Sequence, residues 1–203
     1  MRLSSSHLYI EPMNRAGIAA AQQRLPEELR PLCDACSDAL NASEGDRLWR
    51  TGWLVYTSGK KPEIVGLLRL SGPPDMAHTV ELSGRFRTDA SPSYIAEAVR
   101  CFLKKWLWKQ EAAVYVQTSP ALLGVPEELL GRSGFAKQES GDIWQHERPA
   151  GNFPLVFALL GCMAGVYVST HFDVSILAAF LGTAVGYAAG IPFERQDRAK
   201  RVK

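Results

Sequence analysis

Charge is what the C-terminal part of this sequence lacks. Between Arg148 and Glu194 only Asp173 is formally charged, with His171 two residues before it. A folded domain in water does not run that far without solvated groups, so this stretch is excluded from being an ordinary soluble surface. Excess charge of one sign is also missing. The 203-residue chain carries a net charge of +2, and nothing in that balance points to nucleic acid. Cysteine is scarce: Cys33, Cys36, Cys101 and Cys162 are the four present. Cys33 and Cys36 form a lone CDAC that no second CxxC or HxxxH answers, so no metal site is expected. The pair lies in a helix-like stretch, whereas a thioredoxin-type motif usually follows a strand; ordinary thiols on one helical face are the simpler expectation. The opening MRLSSSHLYIEP has no apolar run of the kind a secretory signal needs. Residues 1–150 are therefore expected to remain in the cytoplasm, where thiols stay reduced. No Walker loop and no Ser-His-Asp spacing is present.

What is present divides the chain into a water-compatible part, 1–150, a paired apolar part, 151–193, and a basic tail, 194–203. Residues 153–169 and 174–193 are each close to the roughly 20 apolar residues that cross a hydrocarbon core of about 30 Å. A polar THFD separates them, which predicts a two-helix transmembrane hairpin; the rival is a buried hairpin of a larger soluble fold. Gly161 and Gly165 make one GxxxG, and Gly182, Gly186 and Gly190 a tandem one. Each glycine would cost a helix in water about 1 kcal/mol against alanine, whereas in lipid the spacing lets two backbones approach closely. That pairing is expected either within the hairpin or between protomers, as a homo-oligomer. Alternatively, small residues are simply common in such helices. Arg195, Arg198, Lys200, Arg201 and Lys203 follow the second apolar segment, Arg148 precedes the first, and the turn has no Lys or Arg. The positive-inside rule then gives a multi-pass membrane protein with both ends in the cytoplasm.

The first part reads as alternating element types. LYIEP (8–12) is a strand, 14–24 and 27–41 are helices, and 49–57, 64–72 and 78–87 are three antiparallel strands. Pro92 can open a helix, and 93–110 is the clearest amphipathic segment, with Ile95, Val99, Phe102, Leu103, Trp106 and Leu107 at spacings of three and four. Residues 112–118 are a short strand, 126–134 a helix closed by glycine, and 135–147 a final hairpin. This is a mixed α/β domain, a sheet flanked by helices.

The order and the local strings resemble the GNAT N-acetyltransferase superfamily, in the branch that acetylates ribosomal-protein N-termini, over roughly residues 7–147. HTVELSGRFR (78–87) is similar to the family's central strand, SYIAEAVRCFLKKW (93–106) to the helix after it, and Leu130, Gly134 and Phe135 to its closing helix. The resemblance implies acetyl-CoA as co-substrate and an amine as acceptor, either a small molecule or a protein N-terminus. It also implies that the cofactor's pyrophosphate meets backbone N–H groups at the start of the central helix, a place with free donors and partial positive charge. Phe86, Arg87, Ala90, Ser91, Ser93 and Tyr94 are the matching positions. The loop departs from the family's Arg/Gln-x-x-Gly-x-Gly/Ala: it has no glycine, it carries Asp89, and Pro92 lacks a donor. Where the family often has Asn and Ser before the closing helix, Leu123 and Pro126 stand.

Amine acetylation needs a group to take the ammonium proton and a source of one for the leaving thiolate. Glu81 on the central strand is the candidate base, expected to be partly buried; the plainer alternative is a surface glutamate. The acid is expected to be a tyrosine or water; Tyr115 is the candidate tyrosine, with core packing as its alternative. His78 and His146 are expected at the surface, Trp106 and Trp108 on opposite sides of one helix, and Lys104, Lys105 and Lys109 on a solvated face. Two functions follow: a membrane-anchored N-acetyltransferase working at the cytoplasmic face, or a non-catalytic binding or assembly module with an eroded cofactor site.

Overall fold

The computed structural model describes residues 1–13, 25–31, 36, 45–139, 141–149, 153–171 and 177–201. The helix expected over 14–24, most of that over 27–41, Cys33 and half of the turn between the apolar segments lie outside the described residues. The chain divides into two compact units, Met1–Arg148 and Pro149–Lys203.

The first unit is built on an eight-stranded sheet of order β1-β2-β3-β4-β5-β6-β8-β7. The strands are β1 (Leu3–Ser4), β2 (Leu8–Pro12), β3 (Gly52–Thr57), β4 (Ile64–Leu70), β5 (Thr79–Phe86), β6 (Tyr115–Thr118), β7 (Ala136–Lys137) and β8 (Trp144–Glu147). All pairs are antiparallel except β5 with β6. A parallel pair needs a crossover. Here it is α2 (Pro92–Lys105), preceded in the chain by the one-turn helix α1 (Arg47–Arg50). Two further helices, α3 (Pro120–Leu123) and α4 (Glu127–Ser133), link β6 to β7.

The spacing of apolar positions in α2 does what it predicts. Ile95, Ala98, Val99, Phe102 and Leu103 are buried and pack on Trp53, Val55, Leu68, Leu70, Val80 and Leu82 of the strands. Trp53, Phe102 and Trp106 form a ring cluster with centroids 4.7 to 5.3 Å apart. Burying one such ring stabilises the fold by about 1.5–3 kcal/mol. On the opposite face a smaller cluster of Met13, Leu25, Leu29, Cys36, Leu54 and Leu67 covers β3 and β4. Strands covered on both faces lose the apolar/polar alternation, which is why β3 reads as a continuous apolar run.

Two expectations change. Trp49 and Arg50 belong to α1, not to a strand. The turn is held by packing that local sequence does not reveal: Trp49 meets Trp106 edge-on at 5.1 Å, and the Trp53 indole N–H donates to the Leu48 carbonyl at 3.3 Å. α3 appears where no element was expected. Ser119 caps it by accepting from Leu122 N–H at 3.1 Å, Pro120 sits in its first turn, and Gly124 ends it in the left-handed region at φ 63°. Trp108, in the turn after α2, lies against the His146 ring at 5.5 Å.

The second unit is a pair of helices, α5 (Phe153–His171) and α6 (Leu177–Arg201). α6 runs on through Pro192 into the basic tail rather than ending at residue 193. The glycines lie at the contact between the two helices. A Cβ on Gly161 would fall 2.0 Å from the Gly182 carbonyl oxygen, and one on Gly186 would fall 2.1 Å from that of Phe157. The glycine faces therefore meet each other within one chain, the first of the two pairings expected. Pro154–His171 is long and apolar enough to cross a membrane by length and composition, with mean hydropathy 1.5 and 11% of the stretch buried.

Candidate functional site

The ladder between β5 and β6 is short. It covers Thr79–Tyr115, Val80–Val116 and Glu81–Gln117, whereas β5 stays paired with β4 as far as Phe86. Beyond Glu81 the two parallel strands part. At the fork the buried Thr118 hydroxyl donates to the Leu82 carbonyl at 2.7 Å. The peptide groups of Glu81 and Arg87 face β4, since Ser71 N–H donates to Glu81 O and Arg87 N–H to Val65 O. By alternation those of Gly84 and Phe86 face the opening.

Side chains alternate as well. Val80, Leu82, Gly84 and Phe86 are buried, while Thr79, Glu81, Ser83 and Arg85 lie on the other face. There Glu81, Ser83 and Arg85 line a cleft of about 800 Å³, with Glu28 and Pro31 at one wall and Ala121, Leu122 and Gly124 of the α3 region at the other. Arg69, paired with Ser83 across β4–β5, also lines it. The end of the Arg85 side chain lies over Gly124, whose left-handed backbone conformation favours glycine there.

Glu81 is exposed, not partly buried as expected, and stands where the strands part. It also lines a smaller cavity of about 190 Å³ with Gln117, Thr118, Ser119, Leu122, Asp142 and Ile143. Tyr115 is half-buried on the same face, two residues back along β6, and lines neither cavity. His78 adopts φ 56° in the turn before β5, where its Nδ1 lies 3.1 Å from the Ala112 carbonyl oxygen. His146 is half-buried, packed edge-on against Phe135 at 5.4 Å, which corrects its placement as a surface residue.

The loop ahead of α2 gathers the other predicted positions. Phe86 is buried; Ala90, Ser91 and Tyr94 are half-buried; Ser93 is exposed. Ser91 precedes α2 without a side-chain cap, its hydroxyl instead lying 2.8 Å from that of Ser93, and Pro92 sits in the first turn. Carboxylates hold the other donors of the loop. Thr88 N–H and hydroxyl both donate to Glu28, each at 3.2 Å. Arg87 donates through Nε and Nη2 to Asp89, at 2.8 and 2.5 Å, and through Nη1 to Glu63 at 3.2 Å. The hydrogen bonds to Asp89 raise the Arg87 guanidinium above its ordinary value, and Arg87 in turn holds Asp89 below the usual carboxylate range. Leu123, one of the two departures read from the sequence, is a fully buried core residue, and Pro126 precedes α4.

Sequence reasoning missed Arg69, Arg85 and Gln117. Strand alternation would have placed Arg85 on the same face as Glu81, whereas Arg69 and Gln117 depend on strand register, which no local signal fixes.

No family model and no curated protein matches the chain. Solved structures do. A ribosomal L7/L12 alpha-N-protein acetyltransferase, in its apo form, aligns at TM-score 0.54 and 10% identity, over 74% of this chain and 100% of its own. A putative ribosomal-protein-serine acetyltransferase from Vibrio cholerae aligns at 0.53 and 11%, over 72% and 97%. A ribosomal-protein-S5-alanine acetyltransferase from Vibrio fischeri aligns at 0.51 and 11%, over 73% and 97%. The chain is similar to these in architecture and has the GNAT acetyltransferase fold.

Proposed function

We propose that this chain, having the GNAT fold, is an acetyl-CoA-dependent N-acetyltransferase acting on an amine, held at the cytoplasmic face of a membrane by its second unit. The observation that carries the reading is the fork between β5 and β6, with Glu81 at its apex facing an open cleft.

Two features favour the co-substrate. Gly84 and Phe86 turn peptide groups toward the opening, where an extended amide-bearing arm can pair with them as a further strand would. The first turn of α2 has no side-chain cap, which leaves Ser93 N–H to meet an anion, with the mutually bonded Ser91 and Ser93 hydroxyls beside it. Phe86, Arg87, Ala90 and Tyr94 complete that end of the site. When bound, acetyl-CoA supplies an acyl group activated as a thioester. Glu81 takes the proton from the acceptor ammonium and so leaves a neutral nucleophile; its exposure leaves it reachable. The thiolate takes its proton from water, since Tyr115 lines neither cavity.

Tethering is supported by the outward apolar side chains of α5 and α6, and the basic tail favours both chain ends in the cytoplasm. A membrane-borne acceptor would then meet the cleft at raised local concentration. The test is acetyl transfer by the full-length chain in detergent micelles. Release of CoA in the presence of an amine, lost in Glu81→Gln with melting unchanged, is the expected result. Absence of CoA binding at millimolar concentration would sink the reading.

A second reading, a non-catalytic binding module, is favoured by one observation. Glu28 and Asp89 already hold the donors of Thr88 and Arg87 that a pyrophosphate would use. On that reading Glu81→Gln changes nothing measurable.

A further inference from the structure

The cleft holds two guanidinium groups that the acetylation chemistry does not use. Arg69 and Arg85 both line it, and among the described residues neither forms an ion pair. Arg69 is half-buried, and its Nε is fully buried with no hydrogen-bond partner. A buried guanidinium N–H left without an acceptor costs on the order of 1–3 kcal/mol, so its persistence calls for a reason. Elsewhere in this unit Arg87 is paired with Asp89 and Glu63, and Lys137 with Glu127. The two arginines in the cleft are left open.

Their placement relative to Glu81 is fixed by the sheet. Glu81, Ser83 and Arg85 follow one another on one face of β5, and Arg69 stands beside Ser83. The strand rise separates Glu81 from the Ser83–Arg69 level by roughly 7 Å. One end of the cleft is thus negative and exposed, and further along β5 it carries two guanidinium forks without an ion-pair partner, suited to a planar or tetrahedral oxyanion, while the Glu28 carboxylate in the wall is held by Thr88.

We propose that the acceptor of this site is an amine that also bears an anionic group, a carboxylate or a phosphate, a few bonds from the nitrogen. Arg69 and Arg85 receive the anion while Glu81 receives the ammonium. This specificity rests on the amine-acetylation reading and adds to it the class of amine. The anion meets Arg69 and Arg85 where they line the cleft, and contacts at both ends of the acceptor fix the nitrogen's position.

The experiment uses the full-length chain in detergent micelles with saturating acetyl-CoA and three acceptors of matched length: an ω-aminoalkanoate, the corresponding ω-aminoalkyl phosphate and the neutral alkylamine. Turnover is followed by thiol release. Binding of the aminoalkanoate and the aminoalkyl phosphate without acetyl-CoA is followed by calorimetry. The expected result is a kcat/KM for at least one anionic amine about tenfold above the neutral one. The preference should be carried by KM and lost in Arg69→Gln and in Arg85→Gln. Lys60→Gln, a change of the same charge outside the cleft, should keep it. Whichever anionic arm is preferred identifies the source. If Arg69→Gln does not melt like the parent chain, Arg85→Gln, on an exposed side chain, carries the test alone. Equal or better use of the neutral amine, with turnover still dependent on Glu81, overturns this inference and leaves acetylation standing. Calorimetric binding weakened by Arg85→Gln, with no turnover of any amine, upholds the anion site and overturns acetylation. No turnover and no binding of either anionic amine overturns both.

Discussion

The two units of this chain put apolar side chains to opposite uses. Among the described residues of Met1–Arg148, large hydrophobic side chains are exposed at Met1, Met76 and Ile143 alone. In the helical pair, Leu155, Leu159, Met163, Phe180, Leu181 and Val185 point outward among fourteen such residues, Met163 at 69% exposure and Phe180 at 70%. What the pair keeps inside is glycine. The first unit is sorted by the hydrophobic effect, with side chains filling its centre. In the second, helix association rests on backbone proximity and the apolar side chains face away, which is the arrangement expected where the solvent is lipid. An exposed apolar surface of that extent on a water-soluble protein would instead mark an unmet interface.

The contrast can be broken most directly by cutting it. A chain ended after Arg148 should stay in the supernatant after carbonate extraction, while the full chain stays with the membrane; release of both would end the membrane reading. Next in size come core changes that act on one unit only. Trp53→Ala removes a fully buried ring that touches Phe102 and Trp106, and should destabilise the first unit by about 3–5 kcal/mol in denaturant melts. Gly182→Leu should do the converse. Its side chain meets the Gly161 carbonyl, so cysteine cross-linking between α5 and α6 should fall sharply while the melt of the first unit is unchanged. Within the cleft, Glu81→Gln should lower turnover by about a hundredfold or more without moving the melt. Glu28→Ala frees Thr88 N–H and removes a negative charge from the loop, so CoA should bind up to about tenfold tighter by calorimetry.

The smallest effect is electrostatic. Glu97, on α2, is partly desolvated, which pushes its carboxyl up. The hydroxyl of Ser5, the backbone N–H of His7 at 2.9 Å and the His7 ring at 3.1 Å outweigh this and hold it below its ordinary range. A carboxylate depressed on folding adds stability above its unfolded value and loses it as pH falls through the folded one. Stability measured at neutral pH should therefore exceed that near pH 3 by up to about 1 kcal/mol more in the parent than in Glu97→Gln.

Periodic segments were legible before the structure. α2, the β3–β4 hairpin, β5 and the glycine faces all follow from spacings in the chain, because those elements bury a stripe or a face. α1 was misread because Trp49 looks like strand sequence, and its real partner, Trp106, lies far along the chain. α3 was legible and overlooked: its capping serine, proline and glycine stand in order in SPALLG. Of the site, Glu81 and the loop ahead of α2 could be placed from the strings. Its electrostatics could not, since Glu28 reaches Thr88, and Arg69 reaches the cleft, only through tertiary placement.

Thr118 gives the fork a property of its own. Its hydroxyl occupies the Leu82 carbonyl at the point where the next rung of the ladder would otherwise form. A side chain thereby substitutes for the peptide N–H that would have zipped the strands further. The gap is propped before any guest arrives, so a ligand entering it would find its lodging already built and would spend none of its affinity on prising the sheet apart.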